Sequence, residues 1–295
     1  MTNVSEIKDL VRIKRFYAVS IIDFGHKSKY MERAEKCNAL SHYTNIEALL
    51  TILSERKLKA SRIDYMDDLQ EKRFIKEMID QNEALPYIIS FDNSCYENIA
   101  LWHMYTKNDT GVRITFYANK LYNRHIFRSL FQECVDIEAY RKGQDKPILF
   151  PAYKGARGDY LYPEVYIHTK ISDVIYNEKI YIDKEPLPAG DIKDWLVYAI
   201  IKAKEWRFQN ETRVVADFEP YDMNQGEEKY IPRFDYLKLP INFEMLDKIV
   251  ITCSPWMGEQ MKRMLKQRIQ EIDLGIAKEQ VIVKDSKFTN LIQRK

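Results

Sequence analysis

His42-Tyr43-Thr44-Asn45-Ile46-Glu47-Ala48-Leu49-Leu50-Thr51-Ile52-Leu53 decides how this chain is read. A histidine and a tyrosine stand at a strand end, and an amphipathic helix follows at once, predicted over Asn45 to Arg56. Ile46, Leu49, Leu50 and Leu53 recur at i, i+3, i+4 and i+7, the period of one helix face. Thr44 and Glu47 have capping-box spacing, which sets the helix start. A short strand, Leu58-Lys59-Ala60-Ser61-Arg62, comes next. Polar and ring-bearing side chains therefore sit where a strand gives way to a helix N-terminus. Free amides and the helix dipole make such a place suited to a nucleotide.

Outward from this segment the chain alternates strands and helices. A charged, partly helical extension is expected over residues 1–38, with Leu10, Val11, Ile13, Phe16 and Tyr17 as an apolar face. A helix is expected near Leu69 to Asp80, then a buried strand, Tyr87-Ile88-Ile89-Ser90-Phe91, after the break at Pro86. The next helix spans Glu97 to Tyr105, capped by Asn93 or Ser94. Val112-Arg113-Ile114-Thr115-Phe116 alternates as a strand. Pro147 to Pro163 reads as a long irregular loop. Further expectations are a strand over Val174–Ile182, a helix over Asp191–Glu205, and a strand over Glu211–Phe218 with Tyr230–Leu239 as its hairpin partner. The end reads as strand Lys248–Cys253, helix Trp256–Asp273 with Met257, Met261, Met264 and Leu265 inward, a stop at Gly275, and strand Gln280–Val283.

Composition narrows the function classes. The 295 residues include 45% hydrophobic and 31% charged residues, enough to bury a sizeable core. Only 9 glycines argue against a glycine-rich phosphate loop. A net charge of +2 gives no global electrostatic case for nucleic-acid binding. Cys37, Cys95, Cys134 and Cys253 are far apart and form no CxxC, so no zinc site is expected. The N-terminus lacks the apolar segment of a signal peptide. No apolar run approaches the roughly 20 residues of a membrane helix. A reduced, cytoplasmic protein is the expectation.

Three segments in order carry a family resemblance: His42 to Arg62; Ser90-Phe91-Asp92 through Leu101-Trp102-His103-Met104-Tyr105 to Gly111-Val112; and Lys204-Glu205-Trp206 through Glu211-Thr212-Arg213. Together they resemble domain-of-unknown-function family 2971, common in bacteria, across residues 39–285. The His-Tyr-Thr start with its Leu-x-x-Ile-Leu helix is also similar to the opening of the ADP-ribosyltransferase fold, including DarT-type DNA-modifying toxins. Enzymes of that fold place a glutamate on a later strand, in some classes closing a Gln-x-Glu motif. This chain has Gln209-Asn210-Glu211 at the start of the Glu211–Phe218 strand. The resemblance departs from the pattern in two ways. The His start and the Gln-x-Glu belong to different classes, and the usual Ser-Thr-Ser element is replaced by Ser90-Phe91-Asp92.

The resemblance implies a single α+β domain over residues 39–295 on a split mixed β-sheet with flanking helices. It implies NAD as substrate and a mono-ADP-ribosyltransferase or NAD glycohydrolase, in the setting of an intracellular bacterial effector or phage-defence toxin. Cleavage of the nicotinamide glycosidic bond passes through an oxocarbenium-like cation, which a carboxylate stabilises. By resemblance Glu211 is that carboxylate, Gln209 positions the acceptor, and His42 bonds a ribose hydroxyl or the nicotinamide amide. Tyr43, Tyr65 or Trp102 would stack on a cofactor ring, and Arg62 would face the diphosphate. Thr44, Ser61 and Tyr105 complete the expected NAD contacts. The acceptor is protein, DNA or RNA, and a lethal activity implies an inhibitor or antitoxin partner.

Blander readings stand beside these. Glu211 and Arg213 also suit an ordinary ion pair. Trp102 and Tyr105, three apart on one helix face, suit core packing. Asp67, Asp68 and Glu71 suit a solvated helix start better than a metal site. Two other functions fit the same residues: a non-enzymatic nucleotide-sensing module, and a nucleic-acid-processing effector using Tyr140-Arg141-Lys142 and Tyr153-Lys154. The sequence makes one geometric demand of the transferase reading. His42 and Glu211 must face one cavity.

Overall fold

The computed structural model describes residues 39–66, 85–106, 108–118, 137–141, 146–150, 153–154, 160–161, 165–177, 199–220 and 234–292. The expected N-terminal extension and the helix near 69–80 lie outside them. The described chain is a mixed, mostly antiparallel sheet with three α-helices. Its strands begin with β1 (Ala39–Asn45), β2 (Lys57–Arg62), β3 (Tyr87–Asp92), β4 (Gly111–Tyr117), β5 (Ile137–Tyr140) and β6 (Ile148–Phe150). Tyr153–Lys154 and Tyr160–Leu161 form a two-residue hairpin, β7 and β8, where an irregular loop was expected. Then come β9 (Val165–Asp173), β10 (Ile175–Asn177), β11 (Ile201–Ala203), β12 (Glu211–Pro220), β13 (Tyr236–Pro240), β14 (Lys248–Cys253) and β15 (Val281–Asp285). The helices are α1 (Ile46–Glu55), α2 (Ile99–Tyr105) and α3 (Glu259–Glu271).

The main sheet runs β15-β14-β4-β1-β3-β2-β13-β5-β6, and it branches at β3. One edge of β3 pairs along its length with β12, which continues to β9. The other edge is shared: Asp92 pairs with Ser41 of β1, while Tyr87 and Ile88 pair with Arg62 and Ser61 of β2. β1 and β2 thus splay from one strand, and the mixed sheet that was expected is mostly antiparallel. Among the described residues of this sheet, β14 and β15 are the parallel pair, joined through α3.

Alternation assigns the two faces. On one, Leu40, Ile89, Phe91, Val112, Ile114, Phe116, Val214 and Ile251 pack into the main core with Leu49 and Leu53 of α1 and Leu265 and Ile269 of α3. Each of these apolar side chains adds roughly 1.5–3 kcal/mol when fully buried. The opposite face carries Ser41, Tyr43, Asp92, Arg113, Thr115, Glu211 and Arg213, all buried. Polar residues at alternate positions of buried strands are unusual, and they mark this face as the one with chemistry.

Local expectations are corrected in several places. Asn45, not Thr44, caps α1, its side chain accepting from Ala48 N at 2.9 Å. Thr44 stays on β1, because the strand runs one residue further than the capping-box spacing suggests. Asn98 caps α2, accepting from Ala100 N at 2.9 Å. The helix expected to reach Glu205 gives way to β11 and a 3-10 helix, Lys204–Gln209. β13 pairs with β2 and β5 rather than forming a hairpin with β12. Met264 is 52% exposed, while Met257 is buried. α3 ends at Glu271 with Ile272 as its cap, so Gly275 belongs to the following turn, at φ 66 against the Arg56 guanidinium. Cys95 is disulfide-bonded, contrary to an all-reduced chain, and Cys253 is free and buried.

Candidate active site

The polar face is organised around Glu211, the first residue of β12. Asn210 before it adopts a left-handed conformation, φ 44 and ψ 51, which turns the chain from the 3-10 helix into the strand. Asn is one of the few non-glycine residues that tolerates this. The turn brings Gln209 and Glu211 to one cation. Lys202 Nζ, from β11, donates to Gln209 Oε1 at 2.7 Å and to Glu211 Oε2 at 3.1 Å. Arg213, two residues along the same strand face, donates from Nε to Glu211 Oε1 at 2.6 Å and from NH1 to the Ala199 carbonyl at 2.7 Å. Gln209 Nε2 donates to Tyr105 Oη at 2.7 Å, and Tyr176 Oη accepts from the Glu211 amide at 2.9 Å.

Burial by itself would raise the Glu211 carboxyl. The charges of Arg213 and Lys202, with the hydrogen bond from Arg213, outweigh it and hold the group at about 2. Glu211 is therefore a firmly ionised carboxylate, 6% exposed, on a net-positive footing of two cations against one anion. Exposed rings stand beside the cluster: Tyr105 and Phe208 are 44% and 42% exposed. Trp206 lies under Lys202, with Nζ 5.2 Å from the ring centre.

Asp92 is the cross-strand partner of Glu211. Its Oδ1 accepts from Ser94 N at 2.8 Å and Ser94 Oγ at 2.5 Å, and its Oδ2 lies 3.6 Å from Arg113 NH2. Burial pushes Asp92 up to about 6, against the Ser94 hydrogen bond and the Arg113 charge. Arg113 also lies over the Tyr43 ring, 5.6 Å from its centre.

The residues picked out in the sequence fall in three places. Gln209, Glu211 and Tyr105 form the cluster just described. Tyr43 and Trp102 border it as packing: their rings meet edge-on at 5.0 Å and 87°, and Trp102 is 0% exposed. The Tyr43 hydroxyl accepts from Asn98 N at 3.0 Å, and Trp102 Nε1 donates to Glu97 at 3.1 Å, so the polar ends of both are occupied. Ser61, Arg62 and Tyr65 stand at the far end of β3. Arg62 pairs with Tyr87, five residues from Asp92, or about 16 Å along the strand. There Arg62 forms a fork with Asp64 at 2.7 and 2.9 Å and donates to Tyr65 Oη at 3.0 Å, so its donors are held by neighbours.

His42 lies across the sheet from Glu211. In the β1–β4 register His42 pairs with Ile114 and Tyr43 with Arg113, which puts His42 on the apolar side and Tyr43 on the polar side. Glu211 shares the polar side with Asp92, which pairs with Ser41. The His42 Nδ1–H donates to the Ser90 carbonyl at 3.0 Å, and its ring meets Phe91 edge-on at 6.0 Å. This bond closes the gap where β1 splays from β3. Burial lowers the His42 pKa, outweighing the bond to Ser90, so the imidazole is neutral. Thr44, two residues on, shares the His42 side.

Sequence reasoning passed over Lys202, Asp92, Arg113 and Tyr176. For Asp92 and Arg113 a signal existed: both sit at alternate positions of otherwise apolar strands. Lys202 and Tyr176 come from short strands that, among the described residues, pair with each other outside the main sheet, which no periodicity reveals. Among the described residues no group of three or more His, Cys, Asp or Glu is placed to hold a metal ion, and no helix is long and apolar enough to cross a membrane.

No family model matches the chain. No curated protein matches it either. Among solved structures, the chain is similar to "Thermus sp. 2.9 DarT in complex with carba-NAD+" at TM-score 0.31 and 9% identity, covering 87% of this chain and 98% of that one. It is similar also to "Thermus sp. 2.9 DarT in complex with NAD+" at TM-score 0.29 and 9% identity, over 85% and 96% of the two chains. Likeness this loose places no residue, and the site stands on its own geometry.

Proposed function

We propose that this chain cleaves the nicotinamide–ribose bond of NAD, as a mono-ADP-ribosyltransferase or NAD glycohydrolase on an ADP-ribosyltransferase-like fold, with Glu211 as the catalytic carboxylate. One observation carries the reading. A buried carboxylate held at about 2 is ionised at every working pH, and it sits two residues after Gln209, which bonds the exposed Tyr105. Such a charge stabilises the oxocarbenium-like transition state without first losing a proton. Gln209 borders the acceptor side, and Tyr105 offers an exposed ring for stacking. Lys202 is the mobile partner in this scheme. As the dinucleotide enters, it leaves Glu211 for the diphosphate and uncovers one carboxylate oxygen. The demand that His42 and Glu211 face one cavity is not met, which counts against a transferase built on the His-Tyr-Thr start; Gln209 and Glu211 alone support this reading, with His42 as a brace for the sheet.

A second reading, a non-enzymatic nucleotide-binding module, is favoured by the two cations on Glu211. If Lys202 and Arg213 stay in place, the carboxylate is neutralised and the site binds anions without cleaving them. The biological setting we attach, a bacterial effector or phage-defence toxin restrained by an inhibitor protein, is supported by the resemblance of the sequence motifs alone.

Incubation with NAD labelled in the adenylate moiety tests the function. We expect release of nicotinamide and transfer or release of labelled ADP-ribose, reduced at least ~100-fold in Glu211→Gln with NAD still bound. NAD binding without turnover in wild type would favour the binding module. Absence of NAD binding would sink both readings.

A further inference from the structure

Among the described residues, four buried atoms on the polar face have no hydrogen-bond partner, Ser90 Oγ, Thr252 Oγ1, Asp92 Oδ2 and Arg113 Nε, and the last two belong to charged groups. Asp92 and Arg113 are each 4% exposed. Ser94 occupies Asp92 Oδ1, and Arg113 NH2 donates to the carbonyls of Ser94 and Tyr96 at 2.8 and 3.4 Å. Asp92 Oδ2 and Arg113 Nε are enclosed and have no hydrogen-bond partner. The two groups form an ion pair at 3.6 Å, yet Oδ2 and Nε keep hydrogen-bonding capacity that is buried and unfilled, which native sites seldom leave without a ligand to fill the gap. The group that satisfies both must accept from an N–H and donate to a carboxylate. A hydroxyl or a water does this, whereas a carbonyl or an ammonium does not.

We propose that Asp92 and Arg113 hold the oxygen nucleophile of the reaction, an acceptor hydroxyl or water, and that Asp92 removes its proton. This rests on the reading of Glu211 given above and names the acceptor chemistry that goes with it. The two carboxylates are a register pair on β3 and β12, so nucleophile and developing cation are held on neighbouring positions of one sheet face. In the step, the O–H proton passes to Asp92 Oδ2 and the oxygen bonds to ribose C1′. The C1′–N bond breaks, and its electron pair leaves with nicotinamide, cancelling the pyridinium charge. Asp92 then gives its proton to solvent. No oxidant or further reactant is required.

The charges around the pair suit the division of labour. Asp92 is faced by Arg113 from β4, Tyr43 from β1, Ser94 from its own loop, and Glu211 from β12, with Lys202 and Arg213 behind Glu211. A base working near neutral pH is best placed with its proton affinity just below that pH. Burial sets Asp92 at about 6, while the cations set Glu211 at about 2. Neighbouring carboxylates driven apart in this way are the pattern of a base beside a permanent anion.

The test compares wild type, Asp92→Asn and Glu211→Gln in the NAD assay, with and without sodium azide. Azide is already an anion and needs no base. We expect Asp92→Asn to keep NAD affinity within about threefold while turnover falls ~10²–10⁴-fold, and azide to restore it with ribosyl azide as product. Wild-type kcat/KM should fall below an apparent pKa near 6, and the variant should lack that limb. Unchanged turnover in Asp92→Asn, or loss that azide fails to restore in a folded, NAD-binding variant, overturns the assignment. If the variant does not fold, the wild-type profile decides, and a flat rate across about pH 5–7 overturns it. An active wild type, inactive Glu211→Gln and fully active Asp92→Asn would refute this inference alone. An inactive wild type refutes the catalytic reading and this inference with it.

Discussion

His42 and Glu211 leave opposite faces of one sheet: His42 pairs with core residue Ile114 across β1 and β4, and Glu211 with Asp92 across β3 and β12. The histidine spends its Nδ1–H on the Ser90 carbonyl at the point where β1 and β2 diverge. Replacing it with alanine strands that carbonyl, at a cost of about 1–3 kcal/mol. We expect His42→Ala to lower the midpoint of chemical denaturation clearly while NAD turnover stays within about threefold. A loss of turnover comparable to that of Glu211→Gln, at unchanged stability, would return His42 to the reaction.

Glu211 also carries stability. Its carboxyl is depressed from an ordinary 4.5 to about 2, so its stabilising contribution is fully present above 4.5 and is lost as pH falls through 2. Glu211→Ala removes the carboxylate that pairs both buried cations, Lys202 and Arg213, and the expected loss is about 3–5 kcal/mol at neutral pH. Urea unfolding measured from about pH 7 down to pH 2 should show the gap between wild type and variant closing at the acid end.

Asp92 works with the opposite sign. Its carboxyl is raised from 3.8 to about 6, so folding is penalised fully above 6, and the penalty disappears as pH falls to 3.8. Asp92→Asn keeps an acceptor for Ser94 and carries no charge. We expect it to be more stable than wild type at pH 7.5, by on the order of 1–3 kcal/mol, with the two converging near pH 4. A variant less stable than wild type at every pH would show that the Asp92–Arg113 ion pair outweighs the cost of burial.

Glu97 fastens the end of the described chain to the start of α2. Its carboxylate accepts from Ser286 Oγ, from Lys287 N at 2.9 Å and from Trp102 Nε1 at 3.1 Å, while Phe288 packs on the Tyr43–Trp102 cluster. Glu97→Ala should free this segment, and limited proteolysis should then cut within 286–292 faster than in wild type. Equal cutting rates would mean that Phe288 packing alone holds it.

Gly275 is required by its surroundings. At φ 66, an added Cβ would stand 2.7 Å from Arg56 NH1. Gly275→Ala should therefore cost about 1–2 kcal/mol, read as a lower melting temperature, through backbone strain and displacement of Arg56 from the Asp273 carbonyl. An unchanged melting temperature would show that the loop shifts freely.

Much of the local structure was legible in the sequence because it depends on neighbours along the chain. The apolar repeat of Leu49 and Leu53 gives α1, and the alternation of Val112, Ile114 and Phe116 gives β4. Gln209 and Glu211 could be singled out together because they are two residues apart. Even there, the sequence put the α1 cap at Thr44, while the extra strand residue moved it to Asn45.

The sequence alone marked strands such as β2, β3, β4, β12 and β14 and the polar positions within them, but not β5 to β9 or β11. Tertiary structure decided which polar positions meet. Strand parity assigns each side chain to one of two faces, but register between strands distant in sequence assigns those faces to each other. That register sent His42 to the apolar side and gathered Asp92, Arg113 and Glu211 on the other. Lys202 then arrived from a strand that pairs outside the main sheet, and its charge, with that of Arg213, fixed the protonation state of Glu211.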